Sequence, residues 1–451
     1  MTNLARLHEL GLFDARAPRY TSYPPANHFG KAVTEADVKA WQAALPAGSR
    51  VSLYLHIPFC RRLCWFCACR TQGTATDRPV IPYLSYLHDE LRLVGQSLPE
   101  DVVISHIHLG GGTPTLLSPE MFAALGEALA AFRPVADDLQ FSVEIDPTEV
   151  DDARIAAMRR IGLNRASIGV QDFDPVVQEA IGRIQSYETT RDVVDNLRDH
   201  GVGSINADMV YGLPHQNVAR VRDSVEKLLT LNPDRIALYG YAHVPWVSKR
   251  QALIPEETLP GPEERYDLFE TARTLFLREG YREVGIDHFA RDGDAMAEAD
   301  RNGTLRRNFQ GYTVDDSAAL VGIGASAISR YPQGYAQNNP SSSLYATAIE
   351  AGRLAVLRGH AFTGDDSLRA RMIEDLMCRF ALDLPEVSAA HGVDMGRLRG
   401  MVAPVLAAFG DSVGFDGERL EITESPRLIA RLVAHRLDAY ESPAGAHSLA
   451  L

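Results

Sequence analysis

The sequence is short of cysteine, of positive charge relative to negative, and of long apolar runs. It holds five cysteines in 451 residues, four of them between Cys60 and Cys69. That distribution excludes a disulfide framework, which spreads its cysteines along a short secreted chain; a tight cluster reads as metal binding or redox chemistry. Lys and Arg total 45 against 59 Asp and Glu, a formal net charge of -14. A general binder of nucleic acid or anionic membrane needs a broad basic surface, so neither partner is expected. An anionic substrate must then be met by a local basic pocket. Charges interrupt the apolar runs within about ten residues, short of the ~20 that cross a bilayer. The start MTNLARLHELGLFDARAPRY has no signal-peptide core, and the expectation is a soluble cytoplasmic protein.

What is present is a recurring strand-helix pattern. The apolar runs VSLYLH (51–56), ISHIHLG (104–110), FSVEI (141–145), RASIGV (165–170), SINADMVYG (204–212) and RIALYGY (235–241) alternate with segments of helical spacing. Alternation of this kind implies parallel pairing through right-handed crossovers, with ligands at the C-terminal ends of the strands. The fold class expected is α/β, with six strand-helix units in residues 49–358. Residues 1–48 contain RYTSYPPANHF, which has poor helical periodicity and is expected to run extended as an N-terminal arm. Residues 359–451 turn to helical spacing, with a short strand at GERLEIT, and are expected to form a mostly helical C-terminal domain.

Cys60-x3-Cys64-x2-Cys67 puts three thiolates on one loop after the first strand. Three thiolates suit three irons of a [4Fe-4S] cubane, and the fourth iron is left for the amino and carboxylate groups of S-adenosylmethionine (SAM). A structural zinc site on these cysteines with Cys69 or His56 is the alternative; it normally uses two separated ligand pairs, and no second pair lies at such spacing. Tyr54, His56, Phe59, Trp65 and Phe66 surround the loop with aromatic bulk. Gly110-Gly111-Gly112-Thr113-Pro114-Thr115 follows the second strand, where missing side chains let backbone approach a ligand, although a tight turn needs no more. Glu144 and Asp208 at strand ends are acceptors for ribose hydroxyls or an ammonium, Arg183 a bidentate partner for a carboxylate, and Asp146 either a partner or a helix cap.

With these motifs the sequence resembles the oxygen-independent coproporphyrinogen III oxidases. The resemblance is carried by PRYTSYP (18–24), YLHIPFCRRLCWFCACR (54–70), GGGTPT (110–115), VEIDP (143–147), GVQDF (169–173), DMVYGLP (208–214), YAHVP (241–245), DHFAR (287–291), RNFQGYT (307–313) and GASAIS (324–329). It implies a partial (β/α)6 radical SAM barrel, a [4Fe-4S] cluster on Cys60, Cys64 and Cys67, and two SAM molecules per chain. Tyr54, Gly111, Glu144 and Ile328 would contact the cluster-bound SAM; Phe66, Gly112, Thr113, Gln171, Arg183, Asp208 and Ala242 would be further SAM contacts. Cys69 falls in the functional loop, with its thiol expected to point away from the iron bound by Cys67 and not to complete the cluster. The implied reaction takes two propionates of coproporphyrinogen III to vinyl groups, with an electron donor and an electron acceptor unidentified and the chain a monomer. Arg19, Arg306 and Arg307 are candidates for the substrate's carboxylates, and Cys378 for a buried structural thiol. A related haem-binding chaperone shares the three cysteines; Cys69, the arm and the long C-terminal domain favour the oxidase.

Overall fold

The structure, a computed structural model, describes residues 3–440. Residues 1–2 and 441–451, at the outer edges of the arm and the C-terminal unit read from sequence, lie outside the described residues.

All six expected strands form: β1 (Arg50–Ile57), β2 (Val103–Gly111), β3 (Val135–Ile145), β4 (Arg165–Gln171), β5 (Ser204–Tyr211) and β6 (Arg235–Gly240). They pair in parallel in chain order. Helices fill the crossovers at Pro119–Phe132, Asp152–Arg160, Tyr187–Asp199 and Val218–Thr230. Each starts where the sequence places an oxygen-bearing cap: Ser118, Asp151, Ser186 and Asn217 accept a backbone N–H from the first turn. Apolar faces of these helices cover one side of the sheet, and Leu53, Leu55, Ile107, Phe141, Ile168 and Ile236 are fully or almost fully buried beneath or among them.

Six further strands complete this sheet and were not visible in the periodicity: β7 (Arg282–Val284), β8 (His288–Ala290), β9 (Ala319–Ile323), β10 (Ile328–Tyr331), β11 (Gly334–Asn338) and β12 (Val356–Ala361). The sheet runs β12-β11-β10-β9-β1-β2-β3-β4-β5-β6-β8-β7. Strand β9 joins β1 in parallel, while β10, β11 and β12 extend it antiparallel. The curved sheet is a partial barrel that does not close, because antiparallel strands flank both of its edges.

Residues 1–48 are not one extended arm. They contain helices at Asn3–Glu9 and Glu35–Ala43, the second opened by a Thr34–Asp37 capping box. Their packing is divided. Leu7, Leu12, Phe13, Tyr20 and Tyr23 are buried with Leu376, Val402, Ile429 and Val433 of the C-terminal unit, whereas Val33, Val38 and Leu45 belong to the core under the sheet. RYTSYPP itself has no helix or strand, as expected of its prolines. The C-terminal unit is mostly helical, with helices Asp366–Arg379, Leu384–His391, Met395–Phe409 and Pro426–His435, and the expected short strand appears at Arg419–Ile422.

Candidate active site

The cysteine loop leaves β1 and turns back over the strand ends. Cys60 and Cys64 are buried, Cys67 is partly buried and Cys69 is exposed. Three contacts hold the loop. Trp65 N–H donates to Ile181 O at 2.8 Å. Ser248 Oγ donates to Cys67 O at 2.9 Å, and Gln251 Nε2 to Phe66 O at 2.7 Å. Arg250 adds a bond to Cys69 O at 3.2 Å. The Ser248–Gln251 segment was missed in the sequence, which offers no motif there; its task, satisfying the loop's carbonyls, is visible only in three dimensions.

A cavity of about 520 Å³ opens in front of the loop. Cys60, Cys64, Cys67 and Cys69 line it with Phe66, Gly111, Gly112, Thr113, Glu144, Gln171, Arg183, Asp208 and Ala242. Tyr54 and Ile328 are not among its lining residues. They are neighbours through Gly322: Tyr54 pairs with Gly322 across β1 and β9, and a Cβ at Gly322 would lie 2.7 Å from Ile328 O. Tyr54 donates or accepts at His56 Nδ1, 2.8 Å away, and stacks on His108.

The glycine run is required by close approach. Gly111 has φ +110°, and a Cβ there would lie 2.5 Å from His56; a Cβ at Gly112 would lie 2.5 Å from Phe59 O. Side chains at either position would push the run off the cysteine strand. Gly111 N–H donates to Glu144 Oε2 at 3.0 Å, and His108 Nε2 lies 3.3 Å from Glu144 Oε1. Burial opposes ionisation of Glu144, yet His108 and this N–H hold it below the ordinary carboxylate range. Asp208, bonded by Asn206 and Ser167, is pushed by burial up to about 6, and Glu144 adds to the rise. The environment thus separates two carboxylates that look alike in sequence. Gln171, at the end of β4, is held at φ +67°, a strained conformation of the kind that collects at ligand sites.

Arg183 is buried, ion-pairs with Asp146 at 3.1 Å, and donates to Gly169 O at 2.9 Å and to Cys64 Sγ at 3.6 Å. Asp146 also caps the turn at Thr148, as its helix-cap reading expects. Cys69 N–H donates to Cys67 Sγ at 3.4 Å, and the Cys69 thiol lies within hydrogen-bonding reach of that sulfur. The tight turn over these three residues brings the side chain back. Cys378 is buried beside Leu305 and Tyr312, far from the loop in the fold.

Among the described residues no three His, Cys, Asp or Glu side chains converge as one bound ion requires. Three cysteines spread over one loop at a cavity wall, with an arginine and a backbone N–H directed at their sulfurs, fit a multi-iron cluster, whose anionic sulfurs accept such bonds.

Residues 54–228 match the radical SAM superfamily. Over 451 residues the chain is 54% identical to the oxygen-independent coproporphyrinogen III oxidase of Paracoccus denitrificans, covering 100% of both. It is 52% identical over 442 residues to the protein of the same name from Cereibacter sphaeroides, covering 98% of each. The solved coproporphyrinogen III oxidase of Escherichia coli, described as a radical SAM enzyme, matches with a TM-score of 0.90 at 34% identity, over 94% of this chain and 98% of that one. The chain belongs to the oxygen-independent coproporphyrinogen III oxidase family, within the radical SAM superfamily.

Proposed function

We propose that the chain converts two propionate side chains of coproporphyrinogen III to vinyl groups without oxygen, giving protoporphyrinogen IX. The observation that carries this reading is the single cavity in which the three cysteines meet the Gly111–Glu144 pair and Arg183, in a chain similar over its whole length to enzymes of that name. When bound, a [4Fe-4S] cluster and SAM supply a 5'-deoxyadenosyl radical able to take a hydrogen atom from a propionate carbon. Each substrate side chain then loses CO2 and one electron, so an electron donor and an acceptor are both needed.

Cys60, Cys64 and Cys67 hold three irons as thiolates. The Gly111–Thr113 backbone and the ionised Glu144 grip the methionyl ammonium of SAM, with Tyr54 and Ile328 supporting that end from behind. Phe66, Gln171, Arg183, Asp208 and Ala242 bind further SAM atoms; two SAM molecules per chain is the reading, supported by the spread of these residues from the cysteine loop to beyond β6. Cys69 acts on the chemistry through Cys67. Residues 1–48 serve as a cover for the cavity, supported by Arg19, which lines it and donates to Gly240 O at 2.8 Å; exclusion of water protects a radical from quenching. The units 1–48, 49–358 and 359–451 remain the functional division, with a cytoplasmic monomer as the working form. Net charge of -14 and the absence, among the described residues, of any helix able to cross a membrane support a role without nucleic acid or membrane.

The test is anaerobic reconstitution with iron and sulfide, then reductant, SAM and coproporphyrinogen III. The reading requires 5'-deoxyadenosine and protoporphyrinogen IX together. One zinc per chain without iron, or 5'-deoxyadenosine without loss of CO2, overturns it.

A further inference from the structure

Beyond β6 the chain makes a turn and a short 3-10 helix, Lys249–Leu253, that packs on the cysteine loop. Gln251 N–H donates to Ser248 O and Ile254 N–H to Gln251 O, each at 3.0 Å. Bonds of that span align every third side chain on one row. Ser248, Gln251 and Ile254 form the inner row: all three are buried, and the first two hold the carbonyls of Cys67 and Phe66. The other rows turn outward. Trp246, Val247 and Leu253 are each 58% exposed, with Lys249 exposed among them. Large apolar side chains gathered in water on one short segment mark an interaction surface. None of these four residues lines the 520 Å³ cavity, so a ligand held there leaves them uncovered.

The charge of this surface runs against that of the chain. Residues 60–76 and 241–254 hold five Lys and Arg and no Asp or Glu, in a chain of 59 acidic and 45 basic residues. The acids that flank them are engaged: Asp77 pairs with Arg61, Glu149 lies within electrostatic reach of Arg61 and Arg62, and Glu256 faces His243 at 3.4 Å. Glu257, past Pro255, is exposed. Arg70, Lys249 and Arg250 have no carboxylate partner among the described residues; Arg250 donates to Cys69 O and Thr71 Oγ1. The arginines expected for the substrate's carboxylates lie elsewhere: Arg19 lines the cavity, Arg307 donates to Arg19 O at 3.2 Å, and Arg306 faces Glu374 at 3.8 Å. An acidic partner is repelled by most of a chain of net charge -14 and drawn to its basic spot.

Given the cluster chemistry proposed above, on which this rests, we infer that the Trp246–Val247–Lys249–Leu253 face docks the electron donor, a small acidic protein with a low-potential one-electron centre. The route inward is short. Ser248 Oγ bonds Cys67 O at 2.9 Å, and the backbone and Cβ of Cys67 lead on to its sulfur. One electron passes: the partner's centre is oxidised by one, the cluster is reduced by one, and no bond breaks or forms. Electron-transfer encounters use small interfaces that release the partner after each event, which a patch of four side chains matches.

The probe is an acidic flavodoxin. Calorimetry measures binding of its oxidised form to cluster-loaded protein, and EPR follows cluster reduction by its hydroquinone. Dithionite replaces it in a parallel assay of 5'-deoxyadenosine release. Lys249→Glu should weaken binding and slow flavodoxin-driven reduction by about tenfold at low salt, and flatten the dependence of binding on salt. Trp246→Ser should weaken binding by a similar factor without changing that dependence. Both variants should match the wild type with dithionite. No binding by the wild type, or wild-type binding by both variants, overturns the inference. Equal losses with dithionite overturn it too, by making the segment a support of the cysteine loop alone. So does a wild-type dimer that Trp246→Ser dissociates, which would make the face a contact between copies. Dithionite-driven 5'-deoxyadenosine without CO2 from coproporphyrinogen III would instead overturn the functional reading, whichever way flavodoxin binds.

Discussion

Arg183 donates to Cys64 Sγ across 3.6 Å while the same terminal nitrogen ion-pairs with Asp146 at 3.1 Å. A positive group held this close to a thiolate ligand compensates part of the charge a cluster brings. Arg183→Met should therefore retain full iron content but shift the cluster's reduction potential downward and weaken SAM binding by at least about tenfold, since a bidentate partner is lost. Redox titration followed by EPR, with SAM titrated in parallel, checks both; an unchanged potential would place Arg183 outside the cluster's influence.

Each of Cys60→Ser, Cys64→Ser and Cys67→Ser should abolish the broad iron-sulfur absorption near ~400 nm, because each thiolate holds one iron. Cys378→Ala should keep full cluster content, since that thiol is packed against Leu305 and Tyr312. A brown, SAM-cleaving Cys64→Ser protein would sink the ligand assignment.

Cys69→Ser should keep wild-type iron and absorption, because the backbone N–H that bonds Cys67 Sγ at 3.4 Å survives the change. Turnover of coproporphyrinogen III should fall severalfold, as the thiol that bonds Cys67 is lost. Iron per chain, 5'-deoxyadenosine and CO2 measured on one preparation separate the outcomes: loss of iron makes Cys69 a ligand, and normal turnover makes it packing.

Glu90 is 1% exposed and receives Gly324 N–H, Asn338 Nδ2 and Tyr345 Oη, each at 2.6 Å. Burial nonetheless pushes its carboxyl up to about 7 from 4.5. The folded state thus binds this proton more tightly than the unfolded state. Its contribution is fully present below pH 4.5 and is lost as pH rises through about 7, a difference of at most about 3 kcal/mol. Chemical denaturation between these limits should give wild-type stability that falls with pH more steeply than that of Glu90→Gln; parallel curves would show that Glu90 does not titrate there.

The chemistry was legible because its signals are local. Cys60, Cys64 and Cys67 lie on one loop, so their spacing is readable without the fold. Strands β1 to β6 were legible for a similar reason, since their apolar positions recur within short runs bounded by segments of helical spacing. The residues GGGTPT, Glu144, Gln171 and Asp208 could be placed at or near strand ends, and the cavity brings Gly111, Gly112 and Thr113 of that run together with the other three. The short strands β7 to β12 were not readable. Runs of three to six residues such as His288–Ala290 carry too little periodicity, and their pairing is decided by neighbours distant in the chain.

Sequence alone determined the family, the cluster loop and the α/β order, all of which rest on neighbours along the chain. Tertiary structure decided what depends on approach between distant segments. It set Ser248 and Gln251 on the carbonyls of the cysteine loop, and brought Cys69 within reach of Cys67. It divided residues 1–48 between two cores. It also collected Arg19, Arg265, Arg307, Arg427 and Arg431 from four separate stretches around one small cavity. The physical reason is the same in each case: charge balance and hydrogen-bond satisfaction are properties of a three-dimensional neighbourhood, and no period along the chain encodes them.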